Sequence, residues 1–171
     1  MTLKYKLTVI GVILFVSLVS DQVTKQIAIA TLKDSSPVTY FFGIVKFVYA
    51  ENTGAFGSLG SDWSEVPRWI FLKVLPLVAL VGILIYIIRN QLIPRFELIA
   101  LALIVGGGLG NMIDRFLFGY VVDFLYIGYG PVGTNIFNIA DVLIVIGGCM
   151  LIIFSFIQPK KEEEAKKETK A

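Results

Sequence analysis

Four long apolar segments dominate this 171-residue sequence and limit what it can fold into. A helix needs about 20 residues to cross the hydrocarbon core of a bilayer, so most of these segments must extend past their first charged residue to span it. With 56% hydrophobic residues and a mean hydropathy of +0.80, the chain is too apolar for an ordinary water-soluble protein. The segments are Leu7 to Ser20, Trp69 to Ile88, Leu98 to Ile113 and Val142 to Gln158.

We therefore predict a membrane all-α bundle of four transmembrane helices that forms a single domain over residues 1–171. The helices are expected at about 5–29, 68–88, 96–116 and 138–158. The connection at about 36–60 is rich in β-branched and aromatic residues and predicts one or two strands broken near Gly43. These strands are expected to form a small extracytoplasmic β-sheet on the outer membrane surface. Residues 159–171 are predicted to be a charged cytoplasmic tail.

The distribution of lysine and arginine predicts the orientation of the bundle. If the N-terminus is cytoplasmic, the inner pieces 1–6, 89–97 and 159–171 hold nine of the fifteen basic residues. This excess agrees with the positive-inside rule. Both termini are then cytoplasmic. The acids at helix ends lie near the outer face, namely Asp21, Asp114 and Asp141.

The residue types that are missing restrict the chemistry. The chain has no histidine, which excludes Ser-His and Cys-His nucleophile pairs and zinc sites with histidine ligands. A net charge of +2 is too small to suggest nucleic acid as a partner. We expect no metal and no cofactor, and acid–base chemistry is left to carboxylates, lysines and tyrosines.

Each acid near the outer face has a simple structural explanation. Asp21 and Lys25 are four positions apart on one helix and can neutralise each other. Asn138 precedes Asp141 by three positions, a spacing typical of a helix N-cap. Together, however, four aspartates and two asparagines lie at or next to one membrane face, namely Asp21, Asp114, Asp123, Asp141, Asn111 and Asn138. An acid at membrane depth indicates a functional role. Two carboxylates that share a proton can activate water, as in aspartic proteases.

Three other classes of protein stay open at this point. A small proton or ion carrier also uses intramembrane aspartates, but a relay should distribute them along the membrane normal rather than at one level. A Ser-Lys peptidase would pair Ser17 or Ser20 with Lys25, but neither spacing brings the two side chains together on one helix face. A structural membrane adaptor is the remaining option that is not an enzyme.

The glycine-rich stretch Gly106-Gly107-Gly108-Leu109-Gly110 does not match the phosphate-binding patterns. It lies inside an apolar segment, where small residues let helices approach closely. We predict that the third helix packs tightly and brings Asn111 and Asp114 to the interior of the bundle.

Five short motifs in a fixed order carry a resemblance to a known family. They are Asp21-Gln22-Val23-Thr24-Lys25, Asn52-Thr53-Gly54-Ala55-Phe56, Gly110-Asn111-Met112-Ile113-Asp114-Arg115, Val121-Val122-Asp123-Phe124 and Phe137-Asn138-Ile139-Ala140-Asp141. In these motifs the chain closely resembles the bacterial lipoprotein signal peptidases, also called signal peptidase II or prolipoprotein signal peptidase.

The resemblance implies an aspartic endopeptidase of the bacterial cytoplasmic (inner) membrane. Its partners would be membrane lipid and lipid-modified prolipoproteins, which it would cleave just before a cysteine that carries a diacylglyceryl group. It would be blocked by the lipopeptide antibiotic globomycin. Apart from the resemblance, we expect the chain to be a monomer. The resemblance implies Asp123 and Asp141 as the catalytic pair. It implies supporting or substrate-binding roles for Asp21, Asn52, Gly54, Asn111, Asp114, Arg115, Asn138 and Ala140.

Overall fold

The computed structural model describes residues 1–54 and 59–168, with side chains described up to residue 157. Residues 55–58 of the predicted outer β region and 169–171 of the predicted tail lie outside the described residues. All four helices are long and apolar enough to cross a membrane. Together with one small sheet, they confirm the predicted fold class. The helices are α1 (Leu3–Leu32), α2 (Glu65–Arg89), α3 (Arg95–Leu117) and α4 (Ile139–Glu168).

Local sequence signals set several helix ends. Thr2 caps α1, and its hydroxyl oxygen accepts a hydrogen bond from Tyr5 N at 3.3 Å. In α3 an acid, Glu97, lies in the first turn and a base, Arg115, in the last. Both charges complement the helix dipole. Helix α4 continues beyond its apolar part into the predicted charged tail.

Helix α3 is the centre of the bundle, because consecutive glycines let three other helices approach its backbone. A Cβ at Gly106 would lie 2.6 Å from the Ser17 side chain of α1. A Cβ at Gly108 would lie 2.6 Å from Leu80 of α2, and one at Gly107 would contact the backbone of α4. The prediction that these glycines serve helix packing agrees with this arrangement.

The sheet is antiparallel with strand order β1-β2-β3-β4. The predicted sheet region at 36–60 was incomplete, because half of the strands come from the connection between α3 and α4. A two-stranded hairpin is marginally stable alone, and β3 supplies the third strand. A turn at Phe41–Gly43 separates the first two strands. The strands are β1 (Val38–Tyr40), β2 (Val45–Asn52), β3 (Val121–Tyr129) and β4 (Val132–Gly133).

A short bridge fixes the start of α4 against the sheet. Phe137 N donates to Leu125 O at 2.9 Å, and Leu125 N donates to Phe137 O at the same distance. The residue after Phe137 therefore lies beside strand β3, at the end of the bundle where α3 leads into the sheet.

Contacts at the other end of the bundle hold the N-terminus against the connection between α2 and α3. The buried Lys6 donates from Nζ to the carbonyls of Ile87, Ile88 and Asn90 at 2.9, 3.0 and 2.9 Å. Since these carbonyls end α2, the ammonium group satisfies acceptors that the helix leaves free.

We predict that Gly107→Ala destabilises the protein by about 1–3 kcal/mol, the usual range for overpacking. The new Cβ would contact Ala140 O and lie 2.9 Å from Ile144 Cγ1, so α3 and α4 would have to separate. Gly82→Ala is the matched control, since a Cβ there has nothing within 4 Å. That change should be neutral or stabilise by about 0.5–1 kcal/mol. Thermal unfolding in detergent measures both, and equal midpoints would contradict the prediction.

Candidate active site

Asp123 and Asp141 lie on either side of one asparagine. Asn138 Nδ2 donates to Asp123 Oδ1 at 2.6 Å, while Asn138 N donates to Asp141 Oδ2 at 3.2 Å. Asp123 is on β3 and Asp141 is in the first turn of α4. The bridge between Phe137 and Leu125 explains why the two aspartates lie close together, because it places the start of α4 against β3.

Asn138 and Asp141 form a reciprocal cap at the start of α4. Asp141 N donates to Asn138 Oδ1 at 3.0 Å, and Asn138 N returns a bond to the Asp141 carboxylate. This is the capping-box arrangement expected from their three-residue spacing, and it satisfies amide groups that a helix start leaves free. The N-terminal end of the helix dipole also favours negative charge at Asp141.

Three asparagines direct amide N–H groups at the two carboxylates. Asn52 Nδ2 donates to Asp123 Oδ2 at 2.9 Å. Asn111 Nδ2 donates to Asp141 Oδ1 at 2.8 Å. Asn138 donates to both carboxylates, from Nδ2 to Asp123 and from its backbone N to Asp141. Its Nδ2 also donates to Asn111 Oδ1 at 3.0 Å. Each carboxylate oxygen of the pair therefore has a donor.

The opposite end of each amide is held by a separate donor. Gly54 N donates to Asn52 Oδ1 at 3.0 Å, and Lys25 Nζ donates to Asn111 Oδ1 at 3.1 Å. For Asn138 the donor is Asp141 N. Because each oxygen is occupied by a donor, each amide must point its N–H groups towards the carboxylates.

Lys25 is also the centre of a buried ion cluster. Its Nζ lies 2.8 Å from Asp21 Oδ2 and 2.9 Å from Asp114 Oδ2. All three side chains are at most 1% exposed. Buried charges at membrane depth are tolerated only when they are paired and hydrogen-bonded, as they are here.

The two acids of this cluster hold the elements that carry the pair. Asp21 Oδ1 accepts from Ala140 N, next to Asp141, at 2.9 Å. Asp114 Oδ2 accepts from Val122 N, next to Asp123, at 3.1 Å. Helix α1 and helix α3 thereby fix the start of α4 and the start of β3.

Arg115 connects the end of α3 to the loop after β2. Its Nη2 donates to Gly54 O at 2.9 Å. The negative charges of Asp141, Asp123 and Asp114 act on this guanidinium. Arg115 therefore lies in the field of the carboxylates while its hydrogen bond goes to the backbone.

Burial is the main influence on the protonation of Asp123. Burial and the negative charge of Asp141 together raise the pKa of this carboxyl to about 6, while hydrogen bonds from Asn52 and Asn138 oppose the rise. Asp123 is only 2% exposed, whereas Asp141 is half-buried. Asp123 thus keeps its proton to a higher pH than an ordinary carboxyl.

The structure brings the ten site residues implied by the motifs into one region. Lys25 was not among the predicted site residues, because its spacing suggested only a local pair with Asp21 or the Ser-Lys alternative. Gln22 was also not predicted, and its Nε2 donates to Asp114 Oδ1 at 2.9 Å. The Ser-Lys alternative has no support, since Ser20 Oγ donates to Ser17 O at 3.0 Å and Lys25 is engaged elsewhere. Within residues 1–54 and 59–157, no group of three or more acidic or cysteine side chains is arranged to hold a metal ion.

We predict that Asp141→Asn lowers the pKa of Asp123 below about 6, because the change removes a negative charge that favours its protonated form. The carbonyl stretching band of the protonated carboxyl, followed by infrared spectroscopy across pH, measures this pKa. Asp123→Asn identifies the band by removing it. An unchanged or higher pKa in the Asp141→Asn variant would show that the two carboxyl groups do not interact.

Comparison with known proteins agrees with the motifs. Residues 13–157 match the family model described as signal peptidase (SPase) II. The lipoprotein signal peptidase of Chlorobium phaeobacteroides is 39% identical over 145 residues, covering 80% of this chain and 83% of the relative. That of Nostoc sp. is 34% identical over 157 residues, covering 92% and 95% of the two chains.

The fold matches solved structures as well. A bacterial membrane enzyme whose structure was determined by the in meso method at 2.3 Å resolution superposes with a TM-score of 0.75. It is 29% identical in sequence, and the match covers 86% of this chain and 87% of the other. The family predicted from the five motifs is thereby confirmed, and the chain belongs to the signal peptidase II family of lipoprotein signal peptidases.

Proposed function

We propose that this lipoprotein signal peptidase is an aspartic endopeptidase. It would remove the signal peptide of a diacylglyceryl-modified prolipoprotein by cutting just before the lipid-modified cysteine. The observation that carries the proposal is the contact of Asn138 with both Asp123 and Asp141. Two carboxyl groups held around one residue, one of them with a raised pKa, have the chemistry of a dyad that shares a proton.

In the first step, a water molecule between the two carboxyl groups attacks the carbonyl carbon of the scissile bond. Asp141, supported by the helix N-terminus, accepts a proton from this water. Asp123, which holds its proton to a pH of about 6, donates it to the carbonyl oxygen. The product of the step is a gem-diol intermediate that carries no net charge.

In the second step, the carbon–nitrogen bond breaks. Asp141 gives its proton to the leaving amine of the cysteine residue, and Asp123 takes back a proton from one hydroxyl group as the new carboxyl group forms. Both side chains return to their initial states. The asparagine donors from Asn52, Asn111 and Asn138 keep the carboxylates in place throughout.

The location of the pair suits a substrate that is anchored in lipid. Asp123 is on the sheet and Asp141 is at the start of a membrane-spanning helix, so the pair lies where the bundle meets the sheet. We propose that the acyl chains of the substrate stay in the bilayer while the peptide bond reaches this boundary. A proton or ion carrier is not favoured, since Asp21 and Asp114 are both paired with Lys25 and the other two acids lie at the same end of the bundle.

We propose that both termini are cytoplasmic and that the site lies near the outer face of the inner membrane. In support, Met1 N lies 3.5 Å from Gln91 O, so the N-terminus and the basic connection between α2 and α3 share one end of the bundle. A protease should then remove a C-terminal tag in inverted membrane vesicles only. Removal of the tag in right-side-out vesicles would contradict this orientation.

We predict that Asp123→Asn and Asp141→Asn each lower kcat by roughly 10²- to 10⁴-fold, because each removes a group that transfers a proton. Cleavage of a diacylglyceryl-modified precursor, followed by gel shift, measures the loss. Asp34→Asn is the matched control, since Asp34 is an exposed acid in the connection after α1. It should cleave at the rate of the unchanged chain.

The same assay tests the remaining parts of the proposal. A precursor that lacks the diacylglyceryl group should not be cleaved, and globomycin should inhibit cleavage of the modified one. Near-normal activity in either aspartate variant would refute the dyad. Equal cleavage of the unmodified precursor would refute the proposed specificity.

A further inference from the structure

We propose that Lys25 is a positioning residue for the catalytic pair, because its ammonium group fixes the orientation of Asn111 and Asn111 holds Asp141. The inference rests on the proposed function of Asp123 and Asp141 as the dyad. It assigns to Lys25 a role beyond neutralising Asp21 on its own helix.

Three partners occupy the full hydrogen-bonding capacity of the Lys25 ammonium group. Lys25 is 1% exposed, and its Nζ lies 2.8 Å from Asp21, 2.9 Å from Asp114 and 3.1 Å from Asn111 Oδ1. An ammonium group has three donors and no acceptor, so these partners use its full capacity. The group that Asn111 presents to Lys25 must therefore be its oxygen.

The shape of the amide then fixes the direction of its NH₂ group. Since the oxygen of Asn111 faces Lys25, its NH₂ group faces the opposite way and donates to Asp141 Oδ1 at 2.8 Å. Turning this amide by half a rotation would place NH₂ against the ammonium and an oxygen against the carboxylate. Both contacts would then be repulsive, so Lys25 selects one of the two orientations.

The same oxygen of Asn111 connects Lys25 to the other carboxyl group. It accepts a bond from Asn138 Nδ2 at 3.0 Å, and this nitrogen also donates to Asp123 Oδ1. A turned Asn111 would lose this acceptor as well. The orientation that Lys25 selects therefore affects the hydrogen bonding of both Asp141 and Asp123.

Lys25 differs from the other two donors that orient asparagines. Asn52 and Asn138 are held by the backbone N–H groups of Gly54 and Asp141. Asn111 Oδ1 accepts instead from two side chains, Lys25 Nζ and Asn138 Nδ2. Asn138 also donates directly to both carboxylates, so Lys25 is the donor that a substitution can remove without changing a direct contact to the pair.

The charge of Lys25 gives a second measurable effect. It favours the ionised form of Asp123, so its removal should raise the pKa of that carboxyl. The limb of the pH profile that Asp123 governs should then move to higher pH. The charged groups around this network are Asp21 from α1, Asp114 and Arg115 from α3, Asp123 from β3 and Asp141 from α4.

The test compares Lys25→Met with Lys6→Met in the full chain. Lys6 is the matched control, because it is also a buried lysine of α1 with three hydrogen bonds, but these go to carbonyls at the other end of the bundle. The measurements are kcat, KM and the pH profile for cleavage of a diacylglyceryl-modified precursor. The value of kcat is calculated per folded molecule. Thermal unfolding in detergent gives the folded fraction.

For Lys25→Met we expect kcat to fall about 100-fold, the cost of a misplacement of about 1 Å in an active site, with KM changed by less than about twofold. The pH profile should shift upward. For Lys6→Met the folded fraction should fall, but kcat per folded molecule and the pH profile should stay unchanged. A normal kcat and pH profile for Lys25→Met, or parallel losses without a pH shift in both variants, would overturn the inference.

A second pair of variants applies if Lys25→Met does not fold. Asp21→Asn combined with Lys25→Met removes one negative and one positive charge, and Asp114 keeps donors from Gln22 and Val122. Asp21→Asn alone is its reference. A further fall of kcat in the double variant supports the role of Lys25, and equal kcat in the two overturns it.

The failure of this inference is distinguishable from the failure of the proposed function. If Asp123→Asn or Asp141→Asn keeps its activity, the dyad itself is wrong. If both are inactive while Lys25→Met cleaves normally, the dyad stands and only the role of Lys25 is refuted.

Discussion

The buried ion cluster of Asp21, Lys25 and Asp114 is the contact on which the rest of the site depends. An unpaired charge in this position would cost several kcal/mol, so the three side chains must stay together for the bundle to fold. Each acid also accepts a backbone N–H, Asp21 from Ala140 and Asp114 from Val122. These two amides stand immediately before Asp141 and Asp123, so the interaction that neutralises charge also sets where the two carboxyl groups lie.

The direction of the hydrogen bonds is compatible with the raised pKa of Asp123. Within residues 1–54 and 59–157, the donors to Asp123 and Asp141 are amides, and no lysine or arginine forms an ion pair with either carboxylate. A cation bonded directly to Asp123 would favour its ionised form and lower its pKa. Lys25 instead acts through Asn111, and Arg115 bonds to Gly54 O. Neither positive charge therefore bonds directly to Asp123, whose pKa stays raised to about 6.

The sequence predicted what depends on local pattern. The four spans follow from apolar length, and the cap formed by Asn138 and Asp141 follows from their spacing. The pairing of β2 with β3 was missed because a strand's partner is set by tertiary structure. Lys25 was underestimated for the same reason, since its local partner Asp21 is visible in the sequence while Asn111 lies 86 positions away. The catalytic roles of the pair came from the family resemblance and stay a proposal.

Asp123 lies on a strand and Asp141 on a helix, so the fold must hold these two elements in a fixed relative position. Asp123 moves with the sheet and Asp141 with the bundle, so any shift between these two parts would separate the carboxyl groups. The backbone bridge between Phe137 and Leu125 opposes such a shift, because it makes the residue before Asn138 part of the sheet. Asn138 then continues the connection by side-chain bonds to β3 and α3. The proposed proton transfer through one water requires positions held to a fraction of an ångström, and these contacts among β3, α3 and α4 supply that restraint.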